Sequence, residues 1–304
     1  MSRSRLIPYL EVLFAVIVWG ASFIATKVAL ADISPITIVW LRFAMGVVVL
    51  GMVVALRRQF ALPDKNEWGY FALLGFLGIT FHQWLQSNGL VTSEASTTAW
   101  IVATTPVFMA LLGWLVLNEH LDWLRNFGIL LAFAGVLVVV SDGDLASISI
   151  GRFGAPGDVL ILISAVNWSV FSALSRRGLR AYPAGLMMFY VMASGWIFTT
   201  LLFIPTKGFS EIPRLSTDGW TGVLFLGVLC SGLAYIAWYD ALQALSSAET
   251  GVFLYIEPLV AVVVAAIVLG EPITWASLFG GAVILVGVWL VNRPDQSRQV
   301  TEIT

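Results

Sequence analysis

Apolar residues in this chain fall into ten blocks of roughly twenty positions, separated by short polar breaks. The blocks lie near 7–31, 34–56, 68–89, 95–117, 121–140, 157–178, 184–204, 219–241, 248–269 and 273–291. A helix of about twenty residues crosses a hydrocarbon layer of roughly 30 Å. The breaks include Ser34-Pro35, Glu119-His120, Tyr182-Pro183 and Glu271-Pro272, and several are so short that neighbouring helices must fold back as antiparallel hairpins. The pattern predicts an all-α integral membrane protein of ten transmembrane helices. A polar stretch at 141–156 links the two halves, and 292–304 forms a polar, disordered tail.

Composition agrees. Of 304 residues, 59% are hydrophobic and 11% charged, with a mean hydropathy of +0.91. A soluble domain carries about a quarter charged residues, so this chain has too few to coat a globule. The net charge of −2 points to no nucleic-acid partner, and the single cysteine, Cys230, excludes an intramolecular disulfide. The start loosely resembles a secretory signal. Its apolar run is longer than the usual 7–15 residues and holds Trp19 and Lys27, which fits a first spanning helix better.

Basic residues orient the spans, because cytoplasmic loops carry the excess of Lys and Arg. With the N-terminus inside, Arg3, Arg5, Arg57, Arg58, Lys65, Arg125, Arg176, Arg177, Arg180, Arg293 and Arg298 fall on the cytoplasmic side. Only Arg152, Lys207 and Arg214 fall outside. Both termini are therefore expected in the cytoplasm.

The second half repeats the first. Residues 68–140 align with 220–292 without a gap, keeping Trp68/Trp220, Gly75/Gly227, Pro106/Pro258, Glu119/Glu271, Trp123/Trp275, Gly128/Gly280 and Gly135/Gly287. Trp19 and Trp168 correspond further upstream. Five spans per copy (7–140 and 157–291) reverse the direction of the second copy, giving inverted repeats. That arrangement suits a transporter, whose halves can exchange conformations around a site near the bilayer midplane.

Several motifs carry a family resemblance: Trp19-Gly20-Ala21-Ser22-Phe23 with Lys27, Leu41-Arg42-Phe43, the paired Pro106…Leu117-Asn118-Glu119 and Glu257-Pro258…Leu269-Gly270-Glu271, and the late Gly135 and Gly287. Together they resemble the drug/metabolite transporter superfamily, and within it the bacterial EamA-type exporters, over about residues 9–292. The resemblance implies a secondary carrier of the bacterial inner membrane that exports amino acids or related metabolites by alternating access. The many Trp and Tyr residues in the spans look most like the aromatic amino-acid exporters.

Candidate residues follow from polarity, depth and symmetry. Trp19 and Trp168 lie at mid-span beside the repeat axis, Trp168 next to Asn167, where a substrate would bind. His82 and Gln86, spaced i, i+4, share one face of the third span, and Tyr235 and Tyr239 repeat that spacing in the eighth. Trp100 completes the aromatic set. Aromatic rings would stack on an aromatic substrate while polar groups fix its charged end. Ionisable groups inside a membrane normally face the bundle interior: Lys27, Arg42 and Glu257 are expected there. Glu257 reads either as the buried partner of Arg42 or as a proton-coupling carboxylate, which would make protons a further partner. Pro106 and Pro258 each remove a backbone hydrogen bond within a span, making them static bends or paired hinges. Trp68, Trp123, Trp220 and Trp275 belong to the interface belt, and Glu119 and Glu271 are expected to cap the helices that follow them. No cofactor is expected. There is no Walker loop, and His82 and His120 lack the clustered acids or cysteines of a metal site. An uncoupled facilitator and an integral-membrane lipid enzyme are the rival readings; the second lacks any carboxylate, histidine or serine cluster at a membrane surface.

Overall fold

The computed structural model describes residues 3–117, 121–146, 154–245 and 247–293. Glu119, His120, Arg152, Arg298 and the tail from 294 onward lie outside the described residues. Among the described residues the chain is helical throughout, with no strand.

The helices run as rods: α1 (Arg3–Leu30), α2 (Pro35–Leu56), α3 (Trp68–Gly75, Phe76–Phe81 and His82–Gly89), α4 (Ala95–Val102 and Thr105–Leu117) and α5 (Trp123–Val140). After the linker come α6 (Pro156–Ala181), α7 (Ala184–Phe203), α8 (Thr217–Leu224, Phe225–Ala234 and Tyr235–Ala244), α9 (Ser247–Phe253 and Ile256–Val268) and α10 (Trp275–Val291). Among the described residues, eight helices are long and apolar enough to cross a membrane. α10 is apolar but has 17 residues, and the last part of α3, His-Gln-Trp-Leu-Gln-Ser-Asn-Gly, is polar. Large apolar side chains point outward along the rods, among them Leu115, Leu130, Ile267 and Phe279. Trp68, Trp123, Trp220 and Trp275 are exposed in the first turns of α3, α5, α8 and α10.

Packing repeats between the halves. α1 packs on α8 and α9, and α6 on α3 and α4; α2 packs on α8, and α7 on α3. α2 meets α7, α4 meets α9 and α5 meets α10. At the α5–α10 crossing a Cβ on Gly128 would stand 2.7 Å from the Gly287 carbonyl, and one on Gly135 would stand 2.7 Å from the Gly280 carbonyl. Backbone cannot yield as a side-chain tip can, so these small residues set the approach of the two rods. One apolar core, with Phe43, Phe71, Phe171 and Met188, lies among α2, α3, α6 and α7. A second, with Trp100, Ile129, Val136 and Ile284, lies among α4, α5 and α10.

Pro106 and Pro258 do not bend continuous helices. α4 is broken at Ala103-Thr104 and α9 at Leu254-Tyr255, and each proline lies in the first turn after its break, where a missing N–H is tolerated. The freed carbonyls are taken up locally. Thr105 Oγ1 donates to the Val102 carbonyl at 2.7 Å, and the Glu257 amide donates to the Leu254 carbonyl at 3.2 Å.

The two halves are latched at the end of the bundle where α1 finishes, here the far end. Asp32 accepts from the amide and hydroxyl of Ser216 at 2.9 and 2.6 Å, at the start of α8. In exchange Glu211, before α8, accepts from the Ser34 amide and hydroxyl and from the Thr37 hydroxyl, at the start of α2. Glu271 does not cap α10. Its oxygens accept from the Ala95 amide at 2.8 Å and from the amide and hydroxyl of Ser96 at 3.0 and 2.7 Å, so it caps α4 across the repeat boundary. The start of α10 is capped by Thr274, which accepts from the Ser277 amide.

Candidate functional site

In both halves the wide, π-type windings of α3 (Phe76–Phe81) and α8 (Phe225–Ala234) flank the centre of the bundle. Such segments are rare and recur at functional positions, because they disturb the regular hydrogen-bond ladder. Here each offers a carbonyl to the other half. Trp19 Nε1 on α1 donates to the Cys230 carbonyl of α8 at 3.3 Å. Asn167 Nδ2 on α6 donates to the Leu77 carbonyl of α3 at 2.8 Å.

Two aromatic groups stand on these anchors. Trp19 meets Tyr235 edge-on with ring centres 5.5 Å apart, and Trp238 at 5.3 Å. Trp168 lies 4.6 Å from the ring of His82 and 4.8 Å from Phe171. His82 is buried, with Nδ1 3.2 Å from the Ser164 carbonyl. A carbonyl only accepts, so Nδ1 donates the proton in this contact. Tyr239 lies one turn from Tyr235, ring centres 6.3 Å apart. It borders a small cleft with Arg57 and Asp240 at the near end of the bundle, where α1 begins. There the Arg57 guanidinium grips Asp240 through two bonds of 2.7 and 2.6 Å, and the Asp240 hydrogen bond raises the Arg57 pKa.

The buried charges are arranged differently from the sequence expectation. Arg42 makes no ion pair with Glu257. Its Nε donates to Ser231 Oγ at 3.1 Å and its Nη1 to Gln83 Oε1 at 2.8 Å, while the guanidinium lies 5.0 Å from the Phe43 ring centre. Two neutral acceptors, one from α8 and one from α3, hold the cation in place of a carboxylate. Glu257 sits on the middle of α9, directly after the helix break, with its backbone carbonyl against Gly20 of α1. Lys27 is not part of this centre. Near the C-terminal end of α1, its Nζ donates to the Ser93 carbonyl at 2.8 Å and lies 3.6 Å from Glu271. Trp100 is not part of it either: it is 2% exposed, donates Nε1 to Ser277 Oγ at 3.0 Å, and lies over Gly281, whose missing side chain makes room for the indole. It packs α4 on α10.

Among the described residues every fully occluded side-chain nitrogen or oxygen has a hydrogen-bond partner. Arg42 Nη2, the Glu257 carboxylate, the Gln86 amide and the Tyr235 and Tyr239 hydroxyls have none and are not fully occluded. The centre thus combines aromatic walls with polar groups from α2, α3, α8 and α9. Gln83 and Ser231 were missed in the sequence; the only signal for them was polarity within apolar blocks. A separate recess of about 270 Å³ lies at the far end, lined by Thr92, Glu94, Asp142, Asp158 and Ser277 among others. Burial is the main cause that raises the Glu94 pKa, with the charge of Glu271 adding to it.

The profile of the EamA-like transporter family matches twice, over residues 6–141 and 155–293. An uncharacterized transporter of Archaeoglobus fulgidus is 29% identical over 284 residues, 93% of this chain and 96% of that protein. A "probable terminal-alkyne amino-acid exporter" of Streptantibioticus cattleyicolor is 29% identical over 292 residues, 93% of each chain. The uncharacterized transporter YvbV of Bacillus subtilis is 28% identical over 290 residues. One solved crystal structure aligns over 96% of this chain and 97% of its own with a TM-score of 0.65 at 20% identity, a likeness of fold.

Proposed function

The chain belongs to the EamA-like transporter family, and we propose that it is a secondary exporter of small amphipathic metabolites, amino acids first and aromatic ones favoured. In this reading α1 to α10 are ten spans in two inverted repeats, with both termini in the cytoplasm of a bacterium and the far end facing outward. The observation that carries it is the mirrored pair of aromatic groups, Trp19 with Tyr235 and Trp168 with His82, each hung beside a π-wound segment of the opposite half. Offset and edge-on aromatic contacts contribute about 0.5–1.5 kcal/mol beyond area burial, enough to favour an aromatic side chain over a small one. The amino-acid exporter among the relatives supports the substrate class. Alternating access would move the broken rods α4 and α9 about Pro106 and Pro258, exposing the centre first at the near end and then at the far end. The test is reconstitution into liposomes loaded with a panel of labelled amino acids. Efflux of phenylalanine and tryptophan ahead of threonine is expected; no movement of any amino acid refutes the reading.

A further inference from the structure

Arg42 and Glu257 are opposite charges in the same core that do not pair. Charges inside a bundle are costly unless compensated. Instead Arg42 is held by Gln83 and Ser231, which use two of its five N–H donors. Neutral side chains fix the guanidinium in place and leave its charge unspent. The Glu257 carboxylate receives no donor from the described residues. Tyr235 stands edge-on to Trp19, with ring centres 5.5 Å apart. Both charges thus lie beside the Trp19–Tyr235 pair: Glu257 packs its backbone carbonyl against Gly20, next to Trp19, and Ser231, which holds Arg42, follows Cys230, whose carbonyl takes the Trp19 N–H.

We propose that Arg42 and Glu257 are the two poles of a site for a zwitterion: the guanidinium takes the substrate's carboxylate, the Glu257 carboxylate takes its ammonium, and the Trp19–Tyr235 pair receives its side chain. Planar guanidinium matches a carboxylate through two parallel bonds, and the N–H groups that Ser231 and Gln83 leave unused, two on Nη2 and one on Nη1, are the donors for this. The arrangement selects against singly charged analogues. A ligand lacking its carboxylate leaves Arg42 uncompensated, and a ligand lacking its ammonium leaves Glu257 so. This inference rests on the amino-acid exporter reading and assigns a new role to two residues of that same centre.

The experiment is competition in wild-type proteoliposomes. Counterflow of labelled phenylalanine, or of whichever panel amino acid exchanges, is challenged with three unlabelled compounds: the amino acid, its amide, and its deaminated acid (3-phenylpropionate for phenylalanine). The amino acid is expected to compete about tenfold or more better than either analogue, since a hydrogen bond to a charged group carries about that factor. Arg42→Gln should narrow the gap to the amide alone, and Glu257→Gln the gap to the deaminated acid alone. Wild-type protein that exchanges amino acids yet treats either analogue as an equal competitor overturns the zwitterion site while leaving the exporter reading intact. Absence of counterflow for every amino acid overturns both. Folded variants that leave both gaps at their wild-type size overturn the assignment to Arg42 and Glu257, and the wild-type arm still tests the zwitterion preference where a variant fails to fold.

Discussion

Glu271 offers a quantitative test of how the two halves are joined. It reaches from the α9–α10 connection to the start of α4, where it accepts from two backbone amides and one hydroxyl at 2.7–3.0 Å. Its side chain is 10% exposed. Hydrogen bonds to a charged acceptor contribute about 1.5–3 kcal/mol each. They do not sum, because water replaces part of what truncation removes, and losing a helix cap alone costs about 0.5–2 kcal/mol. Lys27 adds little: at 3.6 Å and 26% exposed the pair is worth about 1 kcal/mol or less. Glu271→Ala should therefore cost about 2–4 kcal/mol, measured by reversible unfolding in mixed micelles. The partner is identified by double-mutant cycles. Ser96→Ala shares a bond with Glu271 and should show a coupling of about 1 kcal/mol or more, whereas Thr274→Ala, which uncaps α10 without touching Glu271, should add within about 0.5 kcal/mol. A loss under about 0.5 kcal/mol, or coupling to Thr274 rather than Ser96, would refute the cross-repeat cap.

Two further outcomes follow. Acid should loosen the far-end latch. The Ser216 hydroxyl and amide hold the Asp32 carboxyl below its ordinary 3.8; at Glu211 burial works upward, but bonds from Thr37 and Ser34 still bring it below 4.5. Both carboxylates are thus favoured by the folded state, so the stabilisation is complete at neutral pH and is lost as pH falls through those lowered values. Unfolding temperatures followed from pH 7 to pH 3 should fall less steeply for Asp32→Asn/Glu211→Gln than for wild type, and equal slopes would contradict the latch. Trp100→Ala should cost about 3–5 kcal/mol as a packed core indole, while Trp168→Ala, half-buried beside His82, should cost less and reduce transport; equal stability losses in melting curves would place Trp168 in the packed interior.

Much of the fold was legible because hydrophobic length is a direct physical requirement of a bilayer. The helix ends fall close to the sequence blocks, with α5 ending at Val140 and α6 beginning at Pro156. The site was legible only in part. Trp19, Trp168 and His82 show as aromatic or polar residues at mid-span, and the structure brings Trp168 and His82 into contact. Partners were not legible. Depth along a helix says nothing about azimuth, so Arg42 and Glu257 could be placed at similar levels while facing different neighbours. The same blindness put Trp100 in the cavity, although Gly281 marks the helix that receives it. Glu271 was read as a local cap because local capping is the only kind a linear sequence displays.

The irregular points of the backbone tie these observations together. Each half contains one π-wound segment and one broken rod, at corresponding positions: Phe76–Phe81 with the break at Ala103-Thr104, and Phe225–Ala234 with the break at Leu254-Tyr255. Regular helix satisfies its own backbone and gives neighbours nothing to bind. A π segment or a break releases carbonyls, and here those carbonyls are answered by side chains: Trp19 and Asn167 on the π segments, and Thr105 at the α4 break. The residues that answer the π segments belong to α1 and α6, the rods that also carry the aromatic walls. A shift of α3 along its axis would therefore alter the Asn167 anchor and the Trp168–His82 distance in the same step, and a shift of α8 the Trp19 anchor and the Trp19–Tyr235 distance. Glu257 stands directly after the α9 break and Ser231, which holds Arg42, lies within the π segment of α8. Glu257 is thus mounted on, and Arg42 is held from, parts of the backbone least constrained by their own helices, which is where a site that must change its exposure while keeping its ligand would be built.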